Sequence, residues 1–154
     1  MQLYFLRHAI AQDRAPGLRD FDRELVPIGA EKTEKLAHRL DDYGVRPVVI
    51  YTSPLKRAVQ TAQIISNFAG IHLEVFEDLG FGFGGRELQS LVDRHNEDEE
   101  IMLVGHEPSF SQTISYIIGG GNITMKKGGL ARVDLYSQHP LHGTLVWLLS
   151  PKVF

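Results

Sequence analysis

Three short apolar runs constrain this chain most: residues 3–6, 48–51 and 101–104, separated by segments whose apolar residues recur at helical spacing. Runs without polar alternation read as strands buried on both faces. Strands that alternate with helices pack as an α/β domain around a mostly parallel sheet. Each run stops abruptly: Arg7-His8-Ala9 follows the first, Thr52-Ser53-Pro54 the second and Gly105-His106-Glu107-Pro108 the third. In an open α/β sheet ligands bind in the crevice beyond the carboxyl ends of the strands. The chemistry is therefore expected at these tips.

The intervening segments fill in the architecture. After a polar stretch, 10–26, with a loop at Pro16-Gly17, Pro27 opens a helix with Leu36, Ala37, Leu40 and Tyr43 on its apolar face, ending at Gly44. The long loop reads equally as functional or as a solvated connector. Ser53 is expected as an N-cap and Pro54 as the first residue of a second helix, whose stripe is Leu55, Ala58, Ala62, Ile65 and Ala69 before Gly70. A further strand over 71–76 precedes Glu77-Asp78-Leu79. Gly80, Gly82, Gly84 and Gly85 interleaved with Phe81 and Phe83 then read as a mobile rim rather than a dinucleotide fingerprint. Ser109 is expected to cap a helix carrying Phe110, Ile114, Ile117 and Ile118. Residues 130–136 and 144–149 read as a hairpin joined by 137–143. With no repeat or linker, 154 residues are expected to form one domain, 1–154, a three-layer α/β/α sandwich with a mostly parallel mixed sheet.

Charge and cysteine content narrow the function. Sixteen basic against 19 acidic residues leave a formal charge of -3, so no global field holds a polyanion, and nucleic acid is not an expected partner. No run has the length of a membrane span, and the first is broken too early for a signal peptide. With no cysteine, disulfides, thiol catalysis and Cys-zinc sites are excluded, and a cytoplasmic location is expected.

Arg7 and His8 place a guanidinium and an imidazole at the first strand tip. Arg57 falls near the first turn of the second helix, where free N–H groups and the macrodipole also favour an anion, although alone it reads as a solvated surface arginine. His106 arrives at another tip beside a helix start. A neutral imidazole is a competent nucleophile, and arginine offers a planar fork that suits phosphate oxygens. Four phosphate-competent groups at one sheet edge point to phosphoryl transfer. His139 and His142 share a turn but lack a carboxylate or thiolate neighbour, so no metal site is expected.

These residues resemble the histidine phosphatase superfamily, the phosphoglycerate mutase-like fold. Leu6-Arg7-His8-Ala9 is similar to its Arg-His-Gly signature, with alanine for glycine. The run from Ser53 through Arg57 to Ala62 resembles the second motif, and Gly105-His106-Glu107-Pro108 the segment carrying the second histidine. Arg23-Glu24-Leu25 before Gly29 is similar to an Arg-Pro-Leu segment, with glutamate for proline. Short length and the run to Trp147-Leu148-Leu149-Ser150-Pro151 make the chain similar to the SixA-type phosphohistidine phosphatases. The resemblance implies that His8 is the nucleophile that becomes phosphorylated, that Arg7 and Arg57 bind phosphoryl oxygens and that His106 stabilises the transferring group; because charge sits on the equatorial oxygens in a loose transition state, His106 is expected to be protonated there. It implies no metal or other cofactor, and a monomer acting on a phosphohistidine-bearing protein such as a phosphotransfer domain. Ester-cleaving relatives add an acidic residue as general acid; Glu77, Asp78 and Glu107 are all candidates here. A small-molecule phosphomonoesterase and a non-catalytic phosphoprotein-binding module are the alternative functions.

Overall fold

The computed structural model describes residues 1–154. In chain order the elements are β1 (Gln2–Arg7), α1 (Pro27–Arg39), β2 (Val49–Thr52), α2 (Lys56–Ala69), β3 (His72–Val75), α3 (Gly85–Val92), β4 (Glu100–Gly105), α4 (Ser109–Ile117), β5 (Leu130–Gln138) and β6 (Leu141–Leu149). The sheet order is β3-β2-β4-β1-β5-β6. The first four strands are parallel, β5 runs antiparallel to β1, and β6 antiparallel to β5. This is the expected α/β sandwich with a mixed sheet.

Side-chain alternation along the strands separates two cores. Leu3, Phe5, Tyr51, Ile101 and Leu103 face α3 and α4 through Leu88, Leu91, Phe110, Ile114 and Ile117. Tyr4, Leu6, Ile50, Met102 and Val104 face α1 and α2 through Leu36, Leu40, Ala58, Ala62 and Ile65. Because both faces are covered, the central strands need apolar residues at every position, which is why they lack an alternating pattern. No helix is long and apolar enough to cross a membrane.

Parallel register sets the site. Arg7 pairs with Gly105 and Thr52 with Val104, so β1, β2 and β4 end level with one another. The His8 N–H donates to the Gly105 carbonyl at 3.0 Å and the Ser53 N–H to that of Val104 at 2.9 Å. His8, Ser53 and His106 thus leave the sheet side by side. Gly105 is required there: a Cβ would stand 2.6 Å from the Phe110 ring.

Several local expectations are corrected. α2 begins at Lys56, with Leu55 rather than Ser53 as its N-cap and with Pro54 outside the helix. The Ser53 hydroxyl is engaged elsewhere, as described below. Ser109 is the first residue of α4 and not its cap; the Glu107 carboxylate accepts the Ser111 N–H at 3.0 Å and supplies the negative charge that a helix start favours. α1 ends at Arg39, and looser turns lead on to Gly44. The hairpin connection is two residues, His139-Pro140, not seven. Gly143, read as part of the turn, lies in β6 opposite Leu135, where a Cβ would meet the Asp134 carbonyl at 2.7 Å. Glycine there permits close strand approach instead of a turn.

The long loop after β1 is tied down at both ends, although residues 12–17 between them are exposed. Ala11 bridges to Leu25, Arg23 Nε donates to the Gln12 carbonyl at 2.7 Å, and Gln60 Oε1 accepts the Leu25 N–H at 2.7 Å. The glycine-rich segment is likewise anchored. Phe83 is buried in the core, and the Gly84 N–H donates to Glu87 Oε2 at 3.0 Å.

Candidate active site

The four predicted residues come together at the carboxyl ends of β1 and β4 and the start of α2. His8, Arg57 and His106 are 6%, 4% and 5% exposed, so the reading of Arg57 as a solvated cation fails. His8 and His106 stand with ring centroids 5.1 Å apart. Arg57 Nε donates to His8 Nε2 at 3.3 Å.

The hydrogen bonds settle the histidine tautomers. His8 Nδ1 lies 2.8 Å from the Ala9 carbonyl, which can only accept, so Nδ1 carries the proton and Nε2 a lone pair. Ala9 itself has no left-handed backbone, and its N–H donates to Thr61 Oγ1 at 3.1 Å; the missing signature glycine is therefore not needed for a turn. His106 Nε2 lies 2.7 Å from Ser53 Oγ, which already accepts the Leu55 N–H. The Ser53 proton has no other acceptor, so it goes to Nε2 and leaves the His106 N–H on Nδ1. That buried Nδ1 has no partner, and neither does the buried Nε of Arg7, whose Nη1 donates to the Met125 carbonyl at 2.8 Å. Buried donors are rarely left unpaired, and two of them on residues whose charges bear on His8 suit an oxyanion.

Both imidazoles are held neutral. Burial, with the Arg57 and Arg7 charges, drives the His8 pKa down to about 3 against the pull of the Ala9 carbonyl. Burial and the Arg57 and Arg7 charges lower His106 to about 4, with Asp20 opposing. The expectation of a protonated His106 is thus corrected for the free protein at neutral pH, because a third cation would have to be desolvated beside two guanidiniums.

Stability follows by linkage. Between pH 6.5 and about 3 the unfolded chain binds protons at these two positions that the folded protein does not, so stability is complete above pH 6.5 and falls as pH drops toward 4 and below. The expected loss is on the order of a few kcal/mol. Urea unfolding midpoints at pH 7 and 4.5 measure it, and His106→Gln should make the decline shallower.

Sequence reasoning missed Asp20, Ser53 and Thr61. The Asp20 carbonyl accepts from Arg57 Nη1 at 2.7 Å and its carboxylate from Nη2 at 3.2 Å, while Oδ1 lies 2.8 Å from Arg23 Nη1. Burial alone raises the Asp20 pKa, but the hydrogen bonds from Arg23 and Arg57 outweigh it and hold the carboxyl below its usual range. Its i, i+3 spacing to Arg23 was visible; its reach to Arg57 was not. Of the expected acids, Glu107 caps α4 and lies near Arg7. Glu77 and Asp78 are exposed on a 3-10 turn. His139 lies 3.4 Å from Asp93, and His142 stacks on Tyr136. A hollow of about 290 Å³ lined by Ala37, His38 and Phe68 holds none of the four residues.

Comparison with known proteins agrees with this geometry. Residues 3–80 match the histidine phosphatase superfamily (branch 1). An uncharacterized protein of Picosynechococcus sp. (strain ATCC 27264 / PCC 7002 / PR-6) is 34% identical over 165 residues, covering 99% of this chain and 98% of its own. The crystal structure of a proposed phosphohistidine phosphatase SixA from Agrobacterium tumefaciens superposes with a TM-score of 0.82 at 30% identity over 97% of both chains. A protein histidine phosphatase SixA complexed with tungstate shares the fold, with a TM-score of 0.85 at 23% identity over 99% of both chains. Motif, register and relatives converge: the chain belongs to branch 1 of the histidine phosphatase superfamily and is a phosphatase of that fold.

Proposed function

We propose that residues 1–154 act as one catalytic domain that hydrolyses phosphohistidine carried on another protein, in the cytosol, through a phosphoryl intermediate on His8 Nε2. The observation that carries this reading is the His8 tautomer. The Ala9 carbonyl pins the proton on Nδ1 and leaves the lone pair of Nε2 facing Arg57. In the first step the phosphorus–nitrogen bond of the substrate breaks as the bond to Nε2 forms. Arg7, Arg57 and the His106 Nδ1–H stabilise the equatorial oxygens, where charge resides in a loose transition state. The phosphorylated His8 then keeps its Nδ1 proton, so its ring is a phosphoimidazolium. Water attacks phosphorus, the Nε2 bond breaks, and His8 returns as the starting neutral tautomer while phosphate and a proton leave.

The phosphohistidine assignment is supported by the carboxylates and by the likeness to the Agrobacterium protein. Asp20 is held ionised by two arginines and Glu107 is committed to a helix start, so neither is poised to protonate an alkoxide leaving group. A phosphoimidazole protonated on its far nitrogen leaves as neutral imidazole and asks less of an acid.

The test is phosphate release from a phosphohistidine-bearing phosphotransfer protein and from a panel of small phosphate monoesters. We expect kcat/KM for the protein substrate to exceed that of every ester by about 100-fold or more. Faster turnover of an ester would reassign the enzyme as a small-molecule phosphomonoesterase. Binding of inorganic phosphate with turnover of neither would make it a binding module.

A further inference from the structure

Phe81 is the exposed aromatic residue that touches the site. It is 74% exposed, yet its ring lies nearly parallel to that of His106, with an interplanar angle of 23° and centroids 6.2 Å apart. It occupies the tip of a segment fastened on both sides. Leu79 is buried before it and Phe83 after it, and the Gly84 N–H is taken by Glu87. Gly82, with a φ of 86°, turns the chain between the outward Phe81 and the inward Phe83. The exposure of Phe81 is therefore imposed by its anchors and is not that of a loose tip. Leaving one face of a large aromatic ring in water beside a phosphoryl-transfer centre forgoes burial that the core accepts at Phe83 two residues later.

We propose that Phe81 is a specificity-determining residue that receives the imidazole ring of the substrate phosphohistidine. This inference rests on the phosphohistidine reading of the site. His106 stands beside the nucleophilic ring with centroids 5.1 Å apart, and Phe81 lies against His106 at the solvent side, so its ring borders the site. A flat, partly cationic phosphoimidazole gains stacking and cation–π attraction from the open face of Phe81. A leaving group without a ring gains neither. In the step concerned the substrate phosphorus–nitrogen bond breaks, His8 Nε2 takes the phosphoryl group, and the neutral imidazole departs across Phe81.

The experiment compares free phosphohistidine with phosphoramidate, which carries the same type of phosphorus–nitrogen bond but releases ammonia. Wild type, Phe81→Ala and Phe81→Trp are each assayed as full chains with both compounds. The kcat/KM ratio of phosphohistidine to phosphoramidate is expected to fall about fivefold in Phe81→Ala and to stay within about twofold of wild type in Phe81→Trp. A ratio unchanged in Phe81→Ala overturns the inference, because Phe81 then only packs on His106. Both compounds are run beside a phosphohistidine-bearing phosphotransfer protein: wild type that turns over none of the three overturns instead the phosphohistidine reading beneath it, and wild type that turns over the protein but neither small compound overturns the inference, because the imidazole ring then does not direct recognition.

Discussion

His8→Ala is expected to release no measurable phosphate from a phosphohistidine protein, a loss of about 10⁴-fold or more in kcat. The size of the effect follows from covalent catalysis. Arg7, Arg57 and His106 still bind the phosphoryl group, but no lone pair remains in line with it, and water has no held position on that side. Denaturing the wild type in alkali during turnover should leave phosphate on the protein, since phosphohistidine survives base, and His8→Ala should carry none. Binding of inorganic phosphate should persist in the variant. Below pH 6.5 the substitution also removes the cost of keeping His8 neutral in the native state, which offsets part of the lost packing of the ring. Activity within 100-fold of wild type would place the nucleophile elsewhere.

Arg57→Ala should lower kcat/KM by about 10³-fold, in the range for loss of a donor aimed at developing charge. It also changes the acid–base chemistry. Arg57 is one of the cations that depress the His8 pKa, and removing it raises that pKa from about 3 toward 6.5. Burial is the larger cause, so the return is partial. The wild-type kcat/KM should show no limb from His8 above pH 5, whereas in Arg57→Ala the descending limb should move to higher pH than in wild type. Arg57→Lys separates the two effects. A lysine keeps the charge, and hence the wild-type profile, but cannot contact His8 and the Asp20 carbonyl and carboxylate together as the guanidinium does, so the rate stays low. A rate within tenfold of wild type in Arg57→Ala would remove Arg57 from the phosphoryl site.

Much of the candidate site was legible because each of its four residues sits next to an element whose burial is written locally. Residues 3–6 and 101–104 are apolar without interruption, so they had to be central strands, and parallel strands end on one edge. Arg7, His8 and His106 follow from that edge alone. Arg57 followed from the apolar stripe of α2, which placed it in the first turn.

Ser53 shows where such reasoning stops. As a serine before Pro54 it had the sequence signature of a cap, but the level ends of β2 and β4 bring His106 to its hydroxyl, and the helix starts three residues later. Gly143 shows the same limit. Glycine between two β-rich runs reads as a turn, while the close approach of β5 required it inside a strand. Asp20 lies 37 positions from Arg57, and no local pattern encodes that the loop after β1 folds back over α2. The apolar pattern of the chain by itself determined the strands, the helices, the sheet edge and the cations placed on it, because periodicity records which face of each element is buried. Tertiary structure alone decided the proton positions on His8 and His106, the neutrality of both rings and the clasp of Asp20 on Arg57. Those depend on single hydrogen bonds between distant segments and on desolvation by neighbours, and neither leaves a trace in the order of residues.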